Sequence, residues 1–155
     1  MSIEIDYLAN HTESLEEIAN WYEDEWGYLR ELSGLPPYIE RLPEYLNTEK
    51  LPLMVLARLG GVAVATAQLK FREMDIYPDY EHWLGGVYVA KDHRLFGIAS
   101  RIVERVILEA ERFGIRRLYL QTEKLDGGLY RRLGWEPLER VEYMGRSVLV
   151  MSRSI

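Results

Sequence analysis

The stretch from Trp83 to Gly114 constrains the fold of this chain more than any other. WLGGVYVA reads as a strand, KDHRLF as a polar loop, and GIASRIVERVILEAERFG as a helix. In that helix Ile98, Ile102, Val106 and Ala110 recur every four residues, and Val103, Ile107 and Phe113 widen the stripe, so one face is buried. Arg101, Glu104, Arg105, Glu109 and Arg112 read as its solvated face. Gly114 suits the C-cap. A strand feeding a long amphipathic helix through a short loop is a unit of layered α/β architecture.

The flanking sequence supplies the other layers. Ile3, Ile5 and Tyr7 alternate with polar residues as an opening strand. Thr12 or Ser14 can cap a helix carrying Leu15, Ile18, Ala19, Tyr22 and Trp26 on one face, which Ser33-Gly34 ends. Pro36-Pro37 open a second short helix through about Asn47. LPLMVLARL and VAVATAQLKFRE flank Gly60-Gly61, a hairpin signal, and MDIYPDYEH reads as a loop. IRRLYLQTE is a further strand, LDGGLYRRLGW a short helix, and the remainder a hairpin turning near Gly145. With no linker or repeat in 155 residues, a single α/β domain spanning 1–155 is expected.

Composition excludes several chemistries. Cysteine is absent, which removes disulfides, thiolate metal sites and a cysteine nucleophile. His11, His82 and His93 are scattered, with no metal-ligand spacing, so no metal is expected. A net charge of −6 argues against nucleic acid as a partner. It suits solubility, and equally a cationic ligand. No apolar run approaches the roughly 20 residues of a membrane span, and the first ten residues lack a signal-peptide layout. A cytoplasmic protein with no membrane contact is the expectation.

The strand–loop–helix junction is chemically suggestive. A helix start leaves backbone N–H groups without intrahelical acceptors, and the helix dipole adds partial positive charge there, so a pyrophosphate fits. Gly97 presents no side chain and Ala99 almost none, while Arg94 adds a charge and Ser100 a hydroxyl. Paired glycines inside a strand, Gly85-Gly86, indicate a bulge, a close approach of ligand to backbone, or a tight contact with a neighbour such as Trp83. Neither G-x-G-x-x-G nor a P-loop motif is present.

Val87, Val89, Arg94, Gly97 and Ala99 stand at the spacing V-x-V-x-x-x-x-R-x-x-G-x-G/A, and Leu129-Tyr130-Arg131-Arg132-Leu133-Gly134-Trp135 follows about 30 residues later. In these motifs and in the order of its elements, the chain resembles the GNAT superfamily of acetyl-CoA-dependent N-acetyltransferases. The resemblance implies an α/β (α+β) fold: a mixed, mostly antiparallel sheet of six to seven strands, splayed between the fourth and fifth, with about four helices. It implies acetyl-CoA as cosubstrate, held by Val87, Tyr88, Val89, Arg94, Leu95, Phe96, Gly97, Ile98, Ala99, Ser100 and Tyr130. It further implies that Tyr130 protonates the departing thiolate and that a strand N–H, that of Val87, stabilises the oxyanion.

Packing alone is the other role open to Tyr130. For the base, Glu81 leads, because it falls just before the central strand, with Asp79, Glu25 and Glu123 behind it. Trp21, Tyr22, Glu25 and Trp26 border the acceptor side in the family, and the same aromatics can equally be core. The acceptor expected is an amine of a small molecule or peptide, and the protein a monomer or homodimer. The family's asparagine before the tyrosine helix is replaced here by KLDGG. That motivates an alternative, a non-catalytic acyl-CoA-binding regulatory module on the same fold.

Overall fold

Within residues 2–94 and 97–155, which the computed structural model describes, seven strands pair into one sheet. They are β1 (Ile3–Tyr7), β2 (Leu53–Leu59), β3 (Val62–Phe71), β4 (His82–Val89), β5 (Arg117–Thr122), β6 (Glu136–Tyr143) and β7 (Arg146–Ser154), in the spatial order β1-β2-β3-β4-β5-β7-β6. All neighbours are antiparallel except β4 and β5, which run parallel. That parallel contact amounts to one register pair, Trp83 with Tyr119, so beyond it the two strands diverge and the sheet is splayed.

Four α-helices complete the described residues: α1 (Leu15–Ser33), α2 (Tyr38–Arg41), α3 (Ile98–Arg112) and α4 (Gly128–Arg132). The apolar stripe of α3 packs on one face of the sheet, where Ile102, Val103 and Val106 meet Leu53, Val55 and Ala57. The opposite face takes α1, whose Ile18, Ala19 and Tyr22 meet Met54, Leu56 and Tyr88. Coverage on both faces explains the unbroken apolar run of β2: successive side chains point to opposite sides, and each side has a helix to meet.

Three expectations are modified. Ser14 makes no side-chain cap bond, because a 3-10 turn at Thr12–Ser14 runs into α1 and gives Ser14 helical angles (φ −89°, ψ −4°) in place of the extended geometry of a cap. The second helix stops at Arg41 and continues as a 3-10 turn, Leu42–Tyr45. Pro43 there has no N–H to extend the α ladder. Glu109, expected on a solvated face, is only 5% exposed. It accepts hydrogen bonds from the Tyr7 hydroxyl (2.7 Å), Arg105 (3.0 Å) and Arg112 (3.1 Å), a set that pins α3 to β1.

Among the described residues no helix is long and apolar enough to cross a membrane.

Candidate active site

The glycine pair of β4 creates the irregularity around which the site is built. Thr66 pairs with Tyr88 and Gln68 with Gly85, so on β4 two residues, Gly86 and Val87, oppose the single Ala67 of β3. This is a β-bulge. Gly86 takes φ +54°, a left-handed conformation that glycine adopts without steric cost. Its vacant Cβ direction is filled from outside: a carbon there would stand 2.5 Å from the Tyr22 hydroxyl and 2.8 Å from the Gln68 side chain. One at Gly85 would stand 2.5 Å from a Glu73 oxygen. The pair thus combines a bulge with room for polar side chains, and Trp83 is not the close neighbour.

Where β4 ends, a groove of about 450 Å³ opens between the strand and the first turn of α3. Val87, Tyr88, Val89, Arg94, Gly97, Ile98, Ala99 and Ser100 all line it, and Leu129 and Arg132 of α4 close its far side. Leu95 and Phe96, also expected here, lie outside the described residues. Gly97 caps α3 at φ +72°, and a Cβ on it would meet nothing within 4 Å, so it faces open space. The first intrahelical bond runs from the Arg101 N–H to the Gly97 carbonyl, which leaves the amides of Ile98, Ala99 and Ser100 ahead of the ladder. Arg94 donates from Nε to the Val89 carbonyl (2.9 Å) and lies over the Tyr88 ring (5.3 Å to its centre), and Tyr88 stacks on Trp21. A strand edge freed by the splay, leading to a helix start with a side-chain-free turn, fits an extended amide-bearing arm ending in a pyrophosphate.

A second cavity, about 930 Å³, lies on the other side of the bulge, bounded by α1, α2, β3, β4 and β5. Glu25, Trp26 and Val87 line both spaces, so groove and cavity meet at Val87. Tyr130 faces the second cavity, with its ring edge-on to Trp135 (6.2 Å between centres). Burial, and then the charge of Glu73, push its phenol up to about 12, so it stays protonated at neutral pH.

The carboxylates divide sharply. Glu81 is half exposed, pairs with Arg72 (3.4 Å) and lines neither space, because that pairing holds it at the outer end of the β3–β4 hairpin. Asp79 is exposed and lines neither space. Glu123 lines the cavity but is paired with Arg146 (3.2 Å). Glu73 sits where the sheet opens: it accepts from Gln121 of β5 (3.0 Å), pairs with Lys70 (3.4 Å) and stands against Gly85 of β4. Glu73 does not stand out in the sequence, where it closes the run VAVATAQLKFRE and reads as the end of a strand. The spacing Lys70-x-x-Glu73 beside the glycine strand is the only signal that points to it. Of the α1 aromatics, Tyr22 and Trp26 line the cavity, whereas Trp21 supports Tyr88 from behind.

Against known proteins, a model of the acetyltransferase (GNAT) family matches residues 15–135. No curated protein matches. Among solved structures, an aminoglycoside 6'-acetyltransferase type Ii is 19% identical, with a TM-score of 0.73, over 99% of this chain and 97% of that one. An aminoglycoside 6'-N-acetyltransferase complexed with coenzyme A is 16% identical, with a TM-score of 0.75, over 99% and 97%. An N-acetylglutamate synthase from Neisseria gonorrhoeae, complexed with coenzyme A and N-acetyl-glutamate, is 18% identical, with a TM-score of 0.70, over 99% of this chain and 35% of that one. These likenesses concern the fold, and the family match concerns the sequence of most of the chain. The chain belongs to the acetyltransferase (GNAT) family.

Proposed function

We propose that the protein is an N-acetyltransferase that passes the acetyl group of acetyl-CoA to a primary amine of a small molecule or peptide, by direct attack with both substrates bound. The observation that carries this reading is the meeting of two spaces at Val87, one shaped for a phosphate-ended arm and one holding a carboxylate and a protonated phenol. The absence of cysteine favours direct transfer over an acyl-enzyme.

Acetyl-CoA supplies a thioester, in which a C–N bond to the amine forms as the C–S bond breaks. The amides of Ile98, Ala99 and Ser100, together with Arg94, hold the pyrophosphate end, and the free edge of β4 lines up the arm. The Val87 N–H, displaced by the bulge, donates to the carbonyl oxygen as it gains charge, an interaction usually worth about 3 kcal/mol. Glu73 takes the amine proton in place of Glu81, since of the carboxylates lining the cavity it is the one that stands against Gly85, beside the bulge. Tyr130, protonated at neutral pH, donates to the sulfur as the C–S bond breaks and charge develops there. The proton on Glu73 then restores the phenol through water, so the turnover balances to N-acetylated amine and free thiol.

Release of free thiol from acetyl-CoA across a panel of amines tests the reading. Amine-dependent release supports it. Tight acetyl-CoA binding with no release for any amine would instead leave a binding module.

A further inference from the structure

The chain as a whole is acidic, yet the wall of its acceptor cavity is not. Six cationic side chains line that cavity, Arg30, Arg41, Lys70, Arg72, Lys124 and Arg146, against four carboxylates, Glu25, Glu73, Asp75 and Glu123. Most of the cations are already committed. Arg30 pairs with Glu23 (2.8 Å), Lys70 with Glu73 (3.4 Å), Arg72 with Glu81 (3.4 Å) and Arg146 with Glu123 (3.2 Å).

Arg41 and Lys124 form no ion pair among the described residues; Lys124 is exposed, whereas Arg41 is half-buried with its guanidinium over the Tyr38 ring (5.3 Å to the centre). Glu23, whose carboxylate feels the Arg41 charge, is taken up by Arg30 and by the backbone N–H of Tyr38 (3.0 Å). Arg41 and Lys70 also sense each other as like charges: burial and then Glu73 and Tyr45 act on the Lys70 ammonium, and Arg41 opposes its protonation. Arg41 and Lys70 thus share one cavity wall with the rings of Tyr38 and Tyr45, and of the two only Lys70 has an ion-pair partner among the described residues.

Resting on the acetyl-transfer reading above, the geometry points to an acceptor that carries an anionic group beside its amine, a carboxylate or its sulfonate or phosphonate equivalent, held by Arg41 with help from Lys70. Arg41, Lys70, Glu73, Gly85 and Tyr130 line the same cavity, with Lys70 paired to Glu73 (3.4 Å) and Glu73 against Gly85. An anion drawn to Arg41 and Lys70 takes over the ammonium that Glu73 holds at 3.4 Å, which frees Glu73 for the amine at the other end of the same molecule. A polycationic amine that reached this wall would instead meet the unpaired Arg41 guanidinium, an unfavourable like-charge contact; the carboxylates without an ion pair among the described residues of the lining are Glu25 and Asp75. The acidity of the chain as a whole therefore misreports its acceptor.

The test pairs binding with turnover. The probes are the proteinogenic amino acids, each matched to its amide, with β-alanine, taurine, 2-aminoethylphosphonate, putrescine and spermidine. Calorimetry on the CoA-loaded protein reads binding, and thiol release reads transfer. At least one anionic amine is expected to bind about 10-fold or more tighter than its uncharged match, as a charge-assisted contact requires. Arg41→Gln is expected to erase that difference while leaving CoA affinity unchanged, and Arg41→Lys to restore part of it. Amides or diamines binding as well as the acids, or no binding of any anionic amine, would overturn the inference. Anionic amines that bind without thiol release would support it while removing acetyl transfer. Release with cationic amines alone would keep acetyl transfer and remove the anion site.

Discussion

The hydroxyl of Tyr22, on α1, donates to the backbone carbonyl of Gly86 across 2.7 Å, and so ties a helix that lines the larger cavity to the bulge at Gly86 and Val87. Tyr22 is buried, and that burial holds its phenol well above the ordinary tyrosine range, so the donor proton is always present. Tyr22→Phe leaves the Gly86 carbonyl without this donor at nearly constant volume. We expect a loss of about 1–3 kcal/mol in unfolding free energy, read by denaturant titration. We also expect kcat to fall while the affinity for CoA, set mainly at α3, stays the same.

Tyr130→Phe isolates the proton donor. Turnover should drop about 100-fold with little change in CoA affinity, the usual scale for a lost general acid. The pH profile sharpens the test. Because the phenol is pushed up to about 12, it keeps its proton through the whole neutral and mildly alkaline range. Wild-type kcat should therefore show no alkaline loss below pH 10 assignable to Tyr130. A limb near pH 9 that vanishes in the Phe variant would contradict this.

The choice between two glutamates is equally direct. Glu73→Gln should lower kcat by about 100-fold, whereas Glu81→Gln, which loses only a half-exposed pair with Arg72, should remain within about twofold of wild type. Steady-state rates of the two variants, with CoA binding as a control for folding, decide it. The opposite ranking would return the base to Glu81.

What could be read beforehand followed from period and from local chain chemistry. The stripe of Ile98, Ile102, Val106 and Ala110 announces α3, and the turn at Gly97 announces the cradle, because each depends on residues close in sequence. The Gly85-Gly86 pair announces the bulge for the same reason. That Glu73, Arg41 and Gln121 line one cavity is not legible in the sequence, because they come from three separate segments, after β3, in α2 and in β5. The place of Glu81 ahead of β4 is visible in sequence, whereas its pairing with Arg72 is tertiary.

The account rests on acetyl-CoA gripping the edge of β4 and the first turn of α3, and calorimetric titration of acetyl-CoA into the wild-type and Gly97→Val proteins tests it most directly. Valine at φ +72° is strained, and its branched side chain projects into the space left open at the cradle. We predict one site per chain in the wild type, and a loss of affinity of at least about 100-fold in a Gly97→Val protein that still melts cooperatively. Unchanged affinity in that variant, or no binding to the wild type, would contradict the account.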